Sequence, residues 1–231
     1  MAEQGYGALA AFAALLALSV WWQRRARDPI LPPRLFAVPA LRVVLPATAL
    51  LGALLGGSLV YLPTFVQAAY GMGATQAGLA LTPYVLTFTA VSFAAGAVPG
   101  ARVRPFLPAG GLIVVLGFVS LSRVGPGTPY PQFAVVLGVL GVGFGLLMQN
   151  LVVVAQNAAA PADLAATTSA AMTARGLGLS LGVSAFGALL TRTLEAHPGG
   201  ARATAAAVPE ALAWGVPAAV VLVVLLAFLP R

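Results

Sequence analysis

Amide side chains and one guanidinium group interrupt two long apolar segments in the second half of the chain. Gln149 and Gln156 lie seven residues apart, as do Asn150 and Asn157, so each pair follows one stripe of a helix. Arg175 lies about 12 to 15 Å into the next apolar segment, at about 1.5 Å of rise per residue. Such groups offer hydrogen bonds to a solute. We predict that Gln149, Asn150, Gln156 and Arg175 line a cavity for a small-molecule substrate, with Gln149 or Gln156 as the hydrogen-bond partner of Arg175.

Other interpretations of the same residues stay open at this point. The long Arg175 side chain also suits an extension to a membrane surface, and the amides also suit hydrogen bonds between helices. A weaker set of aromatic and polar groups lies earlier in the chain and suits bulky lipophilic substrates, although packing explains it as well. This set comprises Tyr61, Gln67, Tyr84, Thr87 and Phe88, of which we add Gln67 to the predicted cavity.

Several kinds of chemistry are excluded by the residues that the sequence lacks. Without cysteine there is no disulfide, thiolate metal site or thiol nucleophile, and without lysine there is no Schiff base for retinal. His197 has no other metal-ligand residue at a suitable spacing. We therefore predict no metal, no cofactor and no enzymatic activity. All five acidic residues are placed in loops or at ends, so we expect no proton relay in this chain alone; they are Glu3, Asp28, Asp163, Glu195 and Glu210.

The elements that must position these groups are membrane helices. The chain is 60% hydrophobic and 7% charged, whereas an ordinary soluble domain has roughly 25% charged residues. Seven apolar segments have the length of about 20 residues that a helix needs to cross a bilayer, and none alternates like a strand. We predict an all-α polytopic bundle in the lipid bilayer. The segments are roughly Tyr6–Trp22, Val43–Ala69, Ala77–Pro99, Phe106–Val124, Phe133–Ala155, Ala166–Leu190 and Ala211–Pro230.

The arginines predict the orientation of these helices. The net charge of +7 lies mostly in short loops beside apolar segments, which indicates membrane topology and not a nucleic-acid surface. Eight arginines would lie on the cytoplasmic side and three on the other, so we predict an outside N-terminus and a cytoplasmic C-terminus in the plasma membrane. An outside N-terminus without a signal peptide predicts further helices upstream. The eight are Arg24, Arg25, Arg27, Arg34, Arg42, Arg102, Arg104 and Arg231, and the three are Arg123, Arg192 and Arg202.

The predicted organisation has three parts: one helix over residues 1–22, a cytoplasmic loop rich in arginine and proline over 23–42, and a six-helix domain over 43–231. Small residues at helical spacing predict close packing, because helices in lipid associate through backbone approach. The glycine sets are Gly52/Gly56, Gly96/Gly100, Gly178/Gly182 and the face of Gly138, Gly141 and Gly145, and prolines within spans are Pro46, Pro63, Pro83 and Pro217.

Five local sequences resemble one family, the fourteen-helix drug:proton antiporters of the major facilitator superfamily (MFS). They are WWQRRARDPILPPRLF at 21–36, YLPTFVQAAYGMGATQAGLALTP at 61–83, TPYPQF at 128–133, GVLGVGFGLLMQN at 138–150 and QNAAAPADLAATTSAAMTARGLGLSLGVSAFGALL at 156–190. The resemblance implies that the first span is the second of two extra helices and that the other six form the C-terminal domain. The loop at 96–104 departs from the pattern, since it lacks the family's acidic residue.

The resemblance also implies a function, which is proton-driven export of lipophilic or cationic drug-like molecules by rocking of two halves around a central site. The N-terminal half would be the partner that supplies the carboxylate for protons. The alternative hypothesis is a partner subunit that performs no transport and uses its glycine faces to bind another half, or a fragment that needs a separate N-terminal half.

Overall fold

A computed structural model describes residues 35, 37–97, 103–196 and 199–229. The predicted first span, Tyr6–Trp22, and most of the predicted loop at 23–42 therefore lie outside the described residues. So do five residues of the loop between the third and fourth predicted spans, 98–102. The description that follows concerns the predicted six-helix domain.

The described residues contain helices and no strand, which confirms the predicted all-α class. A short 3-10 turn, Pro161–Asp163, precedes the sixth α-helix. The α-helices are α1 Pro39–Tyr70, α2 Ala74–Ala80, α3 Thr82–Gly96, α4 Phe106–Leu121, α5 Tyr130–Ala158, α6 Leu164–Ala196, α7 Gly200–Ala213 and α8 Gly215–Ala227.

Within this part of the chain, four helical stretches are long and apolar enough to cross a membrane. They are α1, α5, Pro161–Ala196 and the combined range of α7 and α8, Gly200–Ala227. A fifth results if α2 and α3, bent by 40°, count as one span. The predicted span Phe106–Val124 is helical only over the 16 residues of α4, fewer than the roughly 20 that cross a bilayer.

Proline and glycine explain where several helices begin and end. α1 starts with Pro39, four residues before the predicted boundary at Val43, because the first helical position needs no N–H donor. It ends at Gly71, whose φ of 63° lies in the left-handed region that glycine adopts without strain. α3 likewise opens with a proline, Pro83, in its first two positions, directly after the bend. Pro46 lies inside α1 without ending it.

Two pairs of parallel helices form the frame of the bundle. A side chain on Gly52 would meet the carbonyl of Arg175, and one on Gly56 would meet that of Leu179, so α1 and α6 run in the same direction. Gly141 faces Tyr84 and Gly145 faces Phe88, so α5 also runs parallel to α3. α4 runs antiparallel to α5 and also contacts α8, while α1 contacts α7 and α8. Phe65, Phe118, Phe133 and Phe144 fill the core between these helices.

The glycine sets thus pack helices of the same chain. Gly52 and Gly56 of α1 face α6, and Gly178 and Gly182 of α6 face Ala49 and Ala53 of α1, at distances that leave no room for a side chain. These four glycines are buried. The hypothesis that they bind a separate subunit therefore differs from the structure, because their partner lies within the described chain.

A candidate ligand-binding cavity

The contact between α3 and α5 is close in the middle of the helices. A side chain on Gly141 would lie 2.5 Å from the carbonyl oxygen of Tyr84, and one on Gly145 would lie 2.8 Å from that of Phe88. The hydroxyl of Ser92 donates a hydrogen bond to the carbonyl of Gly145 at 3.3 Å. Because Gly141 and Gly145 carry no side chains, the backbones of α3 and α5 can approach each other closely.

Toward the end of α3, the same two helices border a half-open cavity of about 450 Å³. Gly96 lies at the end of α3, and a side chain there would make only an ordinary contact of 3.7 Å with Cγ of Gln149. The volume falls within the range of roughly 300 to 1,000 Å³ typical of small-molecule sites. The lining residues are Phe88, Thr89, Ser92, Phe93, Gly96 and Gln149.

Gln149 is the predicted site residue that reaches this cavity. Its side chain is exposed, and its amide group makes no hydrogen bond with another described residue. It therefore presents two N–H donors and one carbonyl acceptor to whatever enters. No ionisable side chain is among the lining residues, so the cavity carries no formal charge.

Gln156 and Arg175 do not pair as predicted. Nε2 of Gln156 donates to Oγ1 of Thr168 at 3.0 Å, and this hydroxyl in turn donates to the carbonyl of Leu164. Gln156 thus ties the end of α5 to the start of α6. Arg175 contacts Sδ of Met172 through Nη2 at 2.9 Å, and neither glutamine is its partner. The physical reason is that a guanidinium one turn from a thioether meets it within the same helix.

Asn150 and Gln67 also differ from their predicted places. Asn150 is 1% exposed, and neither atom of its amide has a hydrogen-bond partner among the described residues. It lies one residue beyond Gln149, so it points about 100° away around the helix, to the side of α5 that contacts α4. Gln67 is exposed near the far end of α1, where its amide donates to the carbonyl of Pro63 at 3.4 Å.

No protein-family model matches the chain, but individual relatives match most of it. A transporter of Mycobacterium tuberculosis, described as MFS-type, is 35% identical over 205 residues, which cover 88% of this chain and 30% of the relative. The multidrug transporter protein MdtP of Bacillus subtilis is 24% identical over 169 residues, or 73% and 31% of the two chains. The methylenomycin A resistance protein of Streptomyces coelicolor is 29% identical over 198 residues, or 85% and 41%. The chain is a homologue of MFS-type transporters.

This homology confirms the resemblance to the major facilitator superfamily, and the names of these relatives describe transport or resistance and not an enzyme. Together with the apolar helices of the described residues, it indicates a multi-pass membrane protein. The chain spans only 30 to 41% of the length of these three relatives. Its place as the C-terminal part of such a transporter stays a prediction.

Sequence reasoning missed most of the residues that line the cavity. Thr89, Ser92, Phe93 and Gly96 follow the spacing of one helical face, with steps of three, one and three residues. A search for polar groups at that spacing within an apolar segment would have found Thr89 and Ser92 but not Phe93 or Gly96. The residues of the weaker predicted set lie in different places. Phe88 lines the cavity. The hydroxyl of Tyr61 donates to the carbonyl of Val183 at 2.9 Å and joins α1 to α6. The hydroxyl of Tyr84 is buried and has no hydrogen-bond partner among the described residues, and that of Thr87 donates to the carbonyls of Pro83 and Tyr84 within α3.

Glu210 lies in the helical range Gly200–Ala227, which contains a stretch long and apolar enough to cross a membrane, and its side chain is exposed. Trp214, one turn further on, lines a second cavity with Leu50 and Ala53 of the middle of α1. Among the described residues, no group of three histidine, cysteine or acidic side chains is placed to hold a metal.

Proposed function

We propose that the chain is the C-terminal part of an exporter that moves lipophilic small molecules across the plasma membrane by alternating access, driven by protons. The observation that carries this proposal is the homology to MFS-type transporters, among them a multidrug transporter and a resistance protein. The cavity beside Gln149 supports the proposal, since it is mostly apolar with a few polar groups, as small-molecule sites are.

The exposed face of α6 supports a role for a further part of the transporter as partner. In the most apolar stretch of Pro161–Ala196, which includes α6, 22% of the residues are buried. The corresponding share in α1 is 61%. Hydroxyl groups follow one another along the exposed side at helical spacing, which suits contact with protein better than contact with lipid. They belong to Ser169, Thr173, Ser180 and Ser184. We assign this face to the N-terminal half, whose length the relatives leave room for.

Transport is tested by expressing the complete reading frame in a bacterial host that lacks its own drug exporters. We expect lower cellular accumulation of lipophilic compounds than in cells with an empty vector, and we expect a proton ionophore to abolish the difference. Accumulation equal to the vector control, with the protein detected in the membrane, would overturn the proposal. Expression of residues 1–231 alone tests the alternative of a fragment, which should show no export until the N-terminal half is supplied.

We assign proton coupling to Glu210, an exposed acidic side chain in the helical range Gly200–Ala227, because proton relays in membranes use acidic groups of this kind. Glu210→Gln keeps the size and hydrogen-bonding capacity of the side chain but removes its ability to bind and release a proton. In inside-out vesicles of the complete protein we expect export driven by a pH gradient to fall at least about tenfold, which corresponds to about 1.4 kcal/mol.

The matched control is Glu195→Gln, at the exposed end of α6. We expect it to transport like the wild type. If Glu210→Gln transports normally in the same vesicles, proton coupling lies in another part of the protein, while the assignment of transport itself stands.

A further inference from the structure

We infer that the cavity between α3 and α5 binds an uncharged aromatic molecule that carries both a hydrogen-bond donor and an acceptor, and that it discriminates against cations. The inference rests on the proposed function, because it names the substrate class of the proposed exporter. It narrows the sequence prediction, which allowed lipophilic and cationic molecules alike.

The carboxamide of Gln149 supplies the polar recognition. It lies on the wall of the cavity, is exposed, and has no hydrogen-bond partner among the described residues. A group that holds both a donor and an acceptor is matched by a ligand with the complementary pair, such as an amide or a lactam. A ligand that lacked either group would leave one half of the carboxamide unpaired after water is excluded.

The two hydroxyl groups of the cavity reinforce this selection. The proton of Ser92 is used in its bond to the carbonyl of Gly145, so its oxygen offers an acceptor to a ligand N–H. Thr89 is exposed and makes no side-chain hydrogen bond with another described residue, so it offers either role. Both lie on α3, opposite Gln149 of α5.

Two phenyl rings account for the aromatic preference. Phe88 is held against Tyr84, with ring centroids 6.4 Å apart and an interplanar angle of 12°. Phe93 is 78% exposed beside the cavity. A fixed ring on one side and an accessible ring on the other suit an aromatic ligand, which contacts them by stacked or edge-on packing.

The lack of charged side chains among the described lining residues explains the discrimination against cations. No acidic side chain is among the described residues that line the cavity, and Glu210 lies on α7 and not on α3 or α5. A cation would lose hydration on entry without a counter-ion, and phenylalanine rings attract cations less than tryptophan does.

Binding to the complete protein in lipid nanodiscs tests the inference. The probes are benzanilide, which is neutral with one amide between two rings, and its para-trimethylammonium derivative, which differs by a permanent positive charge. We expect the wild type to bind benzanilide at least about tenfold more tightly than the cationic derivative. Equal binding, or preference for the cation, would overturn the inference.

Three variants localise the binding. Gln149→Leu should weaken benzanilide binding about tenfold, and Gln149→Glu should raise the affinity for the cationic probe by a similar factor. Gly96→Leu should abolish binding of both, because the new side chain extends into the cavity without a steric clash at its first carbon. Gln132→Leu is the matched control, an exposed glutamine at the opposite end of α5, and should bind like the wild type.

The outcomes separate this inference from the proposed function. If the exporter lowers drug accumulation in cells but Gln149→Leu and Gly96→Leu bind benzanilide like the wild type, the substrate site lies elsewhere and only the inference fails. If no compound is exported while benzanilide binds as described, the cavity is a ligand site and the proposed function fails. A drop in binding for Gln132→Leu equal to that for Gln149→Leu would also contradict the inference.

Discussion

The contact between α1 and α6 and the contact between α3 and α5 join parallel helices through glycine, but they differ in what lies at their ends. In the first, glycines come from both helices, and several face backbone atoms of the other helix: Gly52 faces Arg175, and Gly178 faces Ala49. In the second, the glycines in close contact, Gly141 and Gly145, come from α5 and face the side chains and backbone of α3. The first contact stays closed near Gly52 and Gly178, while the second opens into the cavity at Gln149.

This difference shows that glycine can either close a helix contact or border a cavity. At Gly52 and Gly178 no side chain separates the two helices, so the backbones lie against each other and leave no room for a ligand at these positions. Glycine on one side brings the helices together only as far as the glycines extend. Beyond Gly145 the next residue on that side of α5 is Gln149, whose longer side chain borders the cavity and carries the polar group.

The largest effect is expected in the closed contact. A single methyl group at Gly178 would strike the carbonyl group and Cα of Ala49, and backbone atoms cannot move aside without separating α1 from α6. We expect Gly178→Ala to lower the free energy of unfolding by about 3 kcal/mol. Thermal unfolding of the purified protein in detergent, followed by intrinsic fluorescence, measures the change.

The control for this variant lies two residues earlier on the same helix. Gly176 is exposed, and a methyl group there meets nothing within 4 Å. Gly176→Ala should be neutral or stabilise the helix by up to about 1 kcal/mol, since alanine favours helix over glycine. Similar losses for both variants would show that the contact between α1 and α6 is not closed.

A smaller effect is expected in the open contact. At Gly141 the added methyl group would meet Oγ1 of Thr87 and lie 2.5 Å from the carbonyl oxygen of Tyr84, but α3 has few other neighbours and can shift. We expect Gly141→Ala to cost about 2 kcal/mol, measured by the same unfolding assay. Gly138→Ala, whose methyl group would lie 3.8 Å from Thr87, is the matched control and should cost nothing. A cost at Gly138 as large as at Gly141 would contradict the predicted separation of the helices.

The sequence predicted the closed contact better than the open one, for a physical reason. The spacing of Gly52/Gly56 and of Gly178/Gly182 already indicates a close helix contact, because backbone approach explains pairs of glycines at those positions in lipid. The cavity depends on where two helices diverge, and the packing of both helices sets that distance, so Phe93 and Gly96 carried no separate signal.

Side-chain directions were also harder to predict than helix positions. The paired spacing of Gln149/Gln156 and Asn150/Asn157 indicated two stripes, but not which stripe faces a neighbouring helix. The structure turns Asn150 inward and Gln149 outward, which follows from the 100° between successive residues only once the neighbours of α5 are known. Arg175 met the same difficulty, because a long flexible side chain has partners on its own helix.

The smallest effect concerns the hydrogen bond that crosses the closed contact. The hydroxyl of Tyr61 reaches the carbonyl of Val183 at 2.9 Å, in the space left by Gly187, whereas the hydroxyl of Tyr84 in the open contact is buried without a partner. Interhelical bonds of this kind contribute about 0.6 kcal/mol on average. We therefore expect Tyr61→Phe to lower the free energy of unfolding by about 0.5 to 1 kcal/mol.

Tyr84→Phe is the counterpart and should be neutral or stabilising, because it removes a buried polar group that forms no bond. Unfolding in detergent compares the two single variants directly, and both retain the aromatic ring and its packing. A loss for Tyr84→Phe equal to that for Tyr61→Phe would mean that the hydroxyl of Tyr84 has a partner in the complete transporter. The open contact would then be held together like the closed one, and its cavity would owe its shape to that partner and not to the one-sided glycines.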